Sequence, residues 1–70
     1  MTEATETNKL VYMANQIAAF FNAYPQQEAV EGIRTHLVSF WTPRMRADLR
    51  THAADPALSP LVRLVLPGLM

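Results

Sequence analysis

At 70 residues the chain is long enough for one domain, and a core of that size supplies only about 3–5 kcal/mol of net stability without a disulfide, a metal or a partner. It has no cysteine, which excludes disulfide staples, thiolate zinc sites and iron–sulfur ligation by this chain. Half of its residues are hydrophobic and only 17% are charged, which leaves apolar area for another protein surface, while a formal net charge of zero argues against a general binder of nucleic acid or anionic membrane.

Residues 1–7 are polar and predict a disordered tail, followed by a single helical domain over residues 8–70. Glu3 and Glu6 stand where a secretory signal carries basic residues, and no stretch approaches the roughly 18–20 continuous apolar residues of a membrane span. The expected location is cytoplasmic. From Leu10 the apolar residues fall at Leu10, Met13, Ile17, Phe20, Phe21 and Tyr24, the spacing of one helical face. Thr7 or Asn8 is the expected cap, and Pro25 the stop.

A second amphipathic helix follows, with Val30, Ile33, Leu37, Phe40 and Trp41 inward and Glu28 and Glu31 in its first turns, where the helix dipole favours acids. Gly32 interrupts it and marks a place where another backbone can approach closely. Thr42-Pro43 reads as an N-cap followed by a first-turn proline, opening a third helix to about Ala53 with a thin inward stripe of Met45, Leu49 and Ala53. Asp55-Pro56 is a turn. Ser59-Pro60 repeats the cap-plus-proline signal before Leu61–Leu66, and Pro67-Gly68 closes that short helix. The expected fold is all-α: a small bundle of three amphipathic helices plus a short C-terminal helix.

Residues with catalytic potential are sparse. His36 and His52 lack the spacing of a metal motif and read as surface or half-buried side chains. Asp48 and His52 are one helical turn apart, but no nucleophile completes a triad, so an ordinary surface pair is expected. The chain is expected to be non-catalytic, with no cofactor or metal of its own.

The run Phe40-Trp41-Thr42-Pro43-Arg44-Met45-Arg46, continuing to Leu49-Arg50, joins two large aromatics to three arginines across a helix–helix corner. At about 100° per residue, Arg46 and Arg50 share one flank of the Met45/Leu49 stripe. Charge is split along the chain, with four acids against Lys9 through Glu31 and five arginines against Asp48 and Asp55 beyond Gly32. Three readings stay open from chemistry alone. Tryptophan and arginine are enriched at interface hot spots, which suits a docking surface. The same residues suit core aromatics beneath a solvated basic face, or, with less support at zero net charge, an RNA site. The residues expected to bind a partner are Trp41, Pro43, Arg44, Arg46 and Arg50 at the corner. Leu61, Leu64 and Val65 join them, because the last helix is apolar almost all round and must be buried on more than one side.

Lys9 to Ala18, with its Met-Ala-Asn-Gln-Ile-Ala run, Phe20-Phe21, His36-Leu37, Phe40 to Arg46 and Leu58 to Val62 together resemble the delta subunit of bacterial NAD-dependent formate dehydrogenase, from about Lys9 to Leu66. The resemblance implies a cytoplasmic complex whose larger subunits hold a molybdenum or tungsten bis-pterin cofactor, iron–sulfur clusters, FMN and NAD. In it the delta subunit is the small cofactor-free member that binds and stabilises the large catalytic subunit, where formate is oxidised to carbon dioxide. The alternatives are a transient assembly chaperone for cofactor insertion and a small nucleic-acid-binding or regulatory helical module. Isolated from its partner, so apolar a chain is expected to be marginally stable or to self-associate.

Overall fold

A computed structural model describes the backbone of residues 2–69 and the side chains of residues 9–69. Its regular elements are all helical: α1 over Thr2–Phe21, α2 over Gln26–Phe40, α3 over Pro43–Arg50, α4 over Pro60–Val65, and a final 3-10 turn over Leu66–Gly68. The all-α fold expected from the sequence is the fold of the protein. α1 begins earlier than the Thr7/Asn8 cap, since residues 2–7 contain neither proline nor glycine to interrupt a helix.

The buried line of α1 is Val11, Ala14 and Ala18, flanked by half-buried Leu10, Met13, Ile17 and Phe21. This corrects the inward stripe read from the large side chains, because Phe20 and Tyr24 are exposed. α1 packs against α2, α3 and α4 together. A helix serving three neighbours needs small residues on its contact line, and two alanines let the partners close to packing distance.

After α1, Asn22 and Tyr24 donate back to the carbonyls of Ala19 and Phe21, and Pro25 takes the N-cap position of α2, its carbonyl accepting from the Ala29 amide at 2.9 Å. α2 buries Ala29, Ile33 and Leu37, with Trp41 just past its end also in the core. Phe40, expected inward, is 74% exposed. Gly32 faces a ring and not a backbone: a Cβ there would lie 2.7 and 2.8 Å from Cζ and Cδ1 of Phe21. The missing side chain is what lets the end of α1 lie against α2.

α3 ends at Arg50, short of Ala53, and Ala53 is exposed. Thr51 stops it by turning its hydroxyl back onto the Asp48 carbonyl at 2.6 Å, while the amides of Thr51, His52 and Ala53 tighten to i→i−3 bonds. The Asp55 carboxylate then accepts from the Ala57 amide at 2.9 Å, forming the turn expected at Asp55-Pro56. α4 packs chiefly on α2 and inserts Val62 and Val65 into the core, followed by Leu66 and Leu69. Leu69, two residues beyond Pro67, is fully buried and closes the base of the bundle.

Candidate partner interface

The corner between α2 and α3 is built by local rules. Thr42 has extended backbone and its Oγ1 accepts from the Met45 amide at 3.1 Å, while Pro43 fills the first helical position, where no amide is needed. The chain therefore turns within two residues, which brings the first turn of α3 within reach of the carbonyl end of α2. Arg46 reaches into that end: its guanidinium donates to the carbonyls of Trp41 at 2.6 Å and of Leu37 and Val38 at 3.3 Å each. The Leu37 carbonyl already accepts from the Trp41 amide at 3.0 Å, so the cation chiefly serves the carbonyls of Val38 and Trp41, and it complements the negative end of the helix dipole.

The eight residues expected to bind a partner divide by position. Trp41 is 6% exposed and Val65 is fully buried, both within the chain's own core. Arg46 is half-buried on its own backbone, so it and Arg50 do not project as a pair. Leu61 is half-buried against the core. Pro43, Arg44 and Arg50 are exposed, and Leu64 is 49% exposed on the outer side of α4. Among the described residues, neither Arg44 nor Arg50 has a hydrogen-bond or ion-pair partner for its side chain.

Two polar side chains that sequence reasoning missed hold the long connection from α3 to α4. Asn15 donates to the Ala57 carbonyl and accepts from the Ser59 amide, both at 2.8 Å, across more than forty residues of chain. The only signal for it in the sequence is an asparagine inside an apolar helix, where its propensity is poor. Arg63 clasps the same connection from the other side, donating to the carbonyls of Ala53 at 2.9 Å, Asp55 at 2.7 Å and Leu58 at 3.3 Å. Leu58 is thereby held in the core, and Ser59 is set to cap α4, accepting from the Leu61 amide at 3.3 Å.

Both distinctive runs of the sequence, Met13 to Ala18 and Phe40 to Arg46, are thus consumed largely by the chain's own architecture. A family model described as NADH-dependent formate dehydrogenase delta subunit, FdsD, matches residues 9–66, which contain both. The chain belongs to the FdsD family. No curated protein and no solved structure matches it. As an FdsD delta subunit it is one member of a multi-subunit formate dehydrogenase.

This FdsD chain has no cysteine for a cluster, and among the described residues no three histidines or carboxylates converge as metal ligands. His52 pairs with Asp55, Nδ1 to Oδ2 at 3.5 Å, and not with Asp48, because α3 has already ended. His36 lies against the Phe40 ring at 4.8 Å between centroids. No helix is long and apolar enough to cross a membrane among the described residues.

What the FdsD chain does present is apolar side chain on its surface. Phe20 is 69% exposed and meets Phe21 edge-on at 5.1 Å, with Tyr24 at 5.5 Å from Phe21 completing an aromatic cluster. Phe21 and Phe40 line a shallow depression of about 380 Å³ together with Glu31, Gly32, Thr35, His36 and Ser39. Periodicity alone assigned these rings inward because it counts large apolar residues without knowing which face meets a neighbour.

Proposed function

We propose that this chain is the small, non-catalytic accessory subunit that binds and stabilises the catalytic subunit of a cytoplasmic NAD-dependent formate dehydrogenase. The larger subunits carry out formate oxidation to carbon dioxide with their molybdenum or tungsten bis-pterin cofactor, iron–sulfur clusters, FMN and NAD. The observation carrying this reading is that the residues most characteristic of the chain build its scaffold, while large apolar and unpaired basic side chains remain on the outside of that scaffold. Such a division suits a docking subunit.

The exposed part of the corner, Pro43, Arg44 and Arg50, is the surface offered to the catalytic subunit, while Leu64 on α4 stands apart from it, beside Gln27, Val30 and Arg34 of α2. An arginine there can bind a carboxylate in bidentate fashion while its stem packs on apolar surface. Arg46 and Arg63 are committed to backbone carbonyls, which subtracts two of the five C-terminal arginines from any nucleic-acid contact.

The test is to purify active enzyme through a tag on the large subunit and quantify this chain by mass spectrometry. Stoichiometric presence in mature enzyme supports a permanent subunit. Presence only in cofactor-free precursor makes it an assembly chaperone instead, and absence from both rejects the proposal. Alone, the chain should be marginally stable or self-associate, which circular dichroism on heating and sedimentation at rising concentration would reveal.

A further inference from the structure

We infer that the α1–α2 aromatic face is a second contact surface, distinct from the arginine corner, and that its occupant is a segment of another subunit carrying an apolar side chain flanked by arginine or lysine. The inference rests on the accessory-subunit reading above. Its apolar part is the depression between Phe21 and Phe40, extended outward by Phe20 and Tyr24. Gly32 lines it too, and the Phe21 ring occupies the space a Cβ would take, so an aromatic wall stands directly on α2.

The polar part decides the chemistry of the occupant. Glu31 lines the aromatic depression and also the neighbouring one, which it shares with Glu28, Gln27 and Pro25. Neither glutamate has an ion pair or side-chain hydrogen bond among the described residues. Arg34, one turn beyond Glu31, lines a further depression with it but makes no ion pair with it among the described residues, and it lies against Gly68, where a Cβ would be 3.3 Å from two of its guanidinium nitrogens. An apolar recess with unpaired acids along its rim is complementary to an apolar anchor with cations beside it, and such complementarity selects partner and register. A second copy of this chain fits less well. A self-complementary contact centred on this face brings two copies of the same acid-rimmed patch together, which adds like charge and supplies no apolar anchor flanked by cations.

The experiment uses the assembled complex, captured through the large subunit. Two pairs of substitutions probe the face: Phe20→Ser with Phe40→Ser, and Glu28→Lys with Glu31→Lys. All four positions are exposed, so neither variant disturbs the core. Because lysines near the start of α2 oppose its dipole, Glu28→Gln with Glu31→Gln is measured beside the reversal. The helicity of each is checked by circular dichroism, and Ala54→Lys on the remote connection serves as control. Each pair should lower recovery of this subunit about ten-fold or more, with the control unchanged. A photo-reactive amino acid at position 20 should cross-link to a peptide of another subunit with arginine or lysine near its apolar residue. Wild-type recovery of both variants overturns the inference and leaves the accessory role standing, as does a cross-link only to a second copy. Absence of the wild-type chain from the complex overturns the accessory role and the inference with it.

Discussion

Replacing Arg46 with alanine is expected to cost this domain about 1–2 kcal/mol. The guanidinium makes one short bond to the Trp41 carbonyl and two longer ones to Leu37 and Val38, all at the carbonyl end of α2. A hydrogen bond involving a charged group contributes about 1.5–3 kcal/mol when well formed. The two 3.3 Å contacts share a single nitrogen with the short one and add little, and half-exposure weakens all three. Against a core worth about 3–5 kcal/mol, that loss is roughly a third of the net stability. For a domain of this size it corresponds to a fall in Tm of about 5–15 °C. Arg46→Lys keeps the charge but not the fork, and should lie between alanine and wild type. Arg50→Ala, with no described partner, should stay within about 0.5 kcal/mol. Urea unfolding followed by circular dichroism measures all three. If Arg46→Ala and Arg50→Ala prove equally mild, Arg46 is not the clasp of α2 and the corner is held by the Thr42 cap and Trp41 burial alone. A further consequence is that charge reversal at Arg46 perturbs the fold, so Arg44→Glu with Arg50→Glu is the pair that probes docking at the corner.

Asn15→Ala removes both bonds to the 57–59 segment and should cost about 1–2 kcal/mol, with faster amide exchange at Ser59; unchanged exchange there would mean the connection is held by Arg63 without Asn15. Gly32→Ala should destabilise, because the new methyl meets the Phe21 ring and outweighs the roughly 1 kcal/mol gained in helix propensity. In a Phe21→Ala background the same change should stabilise, and an equal effect in both backgrounds would show that the ring simply moves aside. Deleting residues 1–7 tests the proposal that they lie outside the folded domain: the urea midpoint should not shift, and a loss above about 0.5 kcal/mol would assign those residues to the packed structure.

Much of the architecture was legible because its signals are local. Thr42-Pro43 and Ser59-Pro60 each place an accepting hydroxyl before a proline that needs no donor, and both open a helix where expected. Pro25 and Asp55-Pro56 likewise mark turns through constraints carried by one or two residues. The family, too, could be read from two short runs of side chains, which the match over residues 9–66 supports.

Which face of each helix turns inward was decided by tertiary packing. Phe20 and Phe40 satisfied the helical spacing as well as Ala14 and Ala18 did, but three neighbours converge on α1 and small residues let them approach. The arginines could be placed on a helix face from the sequence, but not assigned a partner. Arg46 and Arg63 find theirs only once α3 comes within reach of the end of α2 and the 53–58 connection wraps beside α4. Asn15 is the clearest case, because its two bonds reach residues 42 and 44 positions away. No periodicity within one helix encodes a contact of that range, since the acceptor and donor it meets are backbone groups that every residue carries.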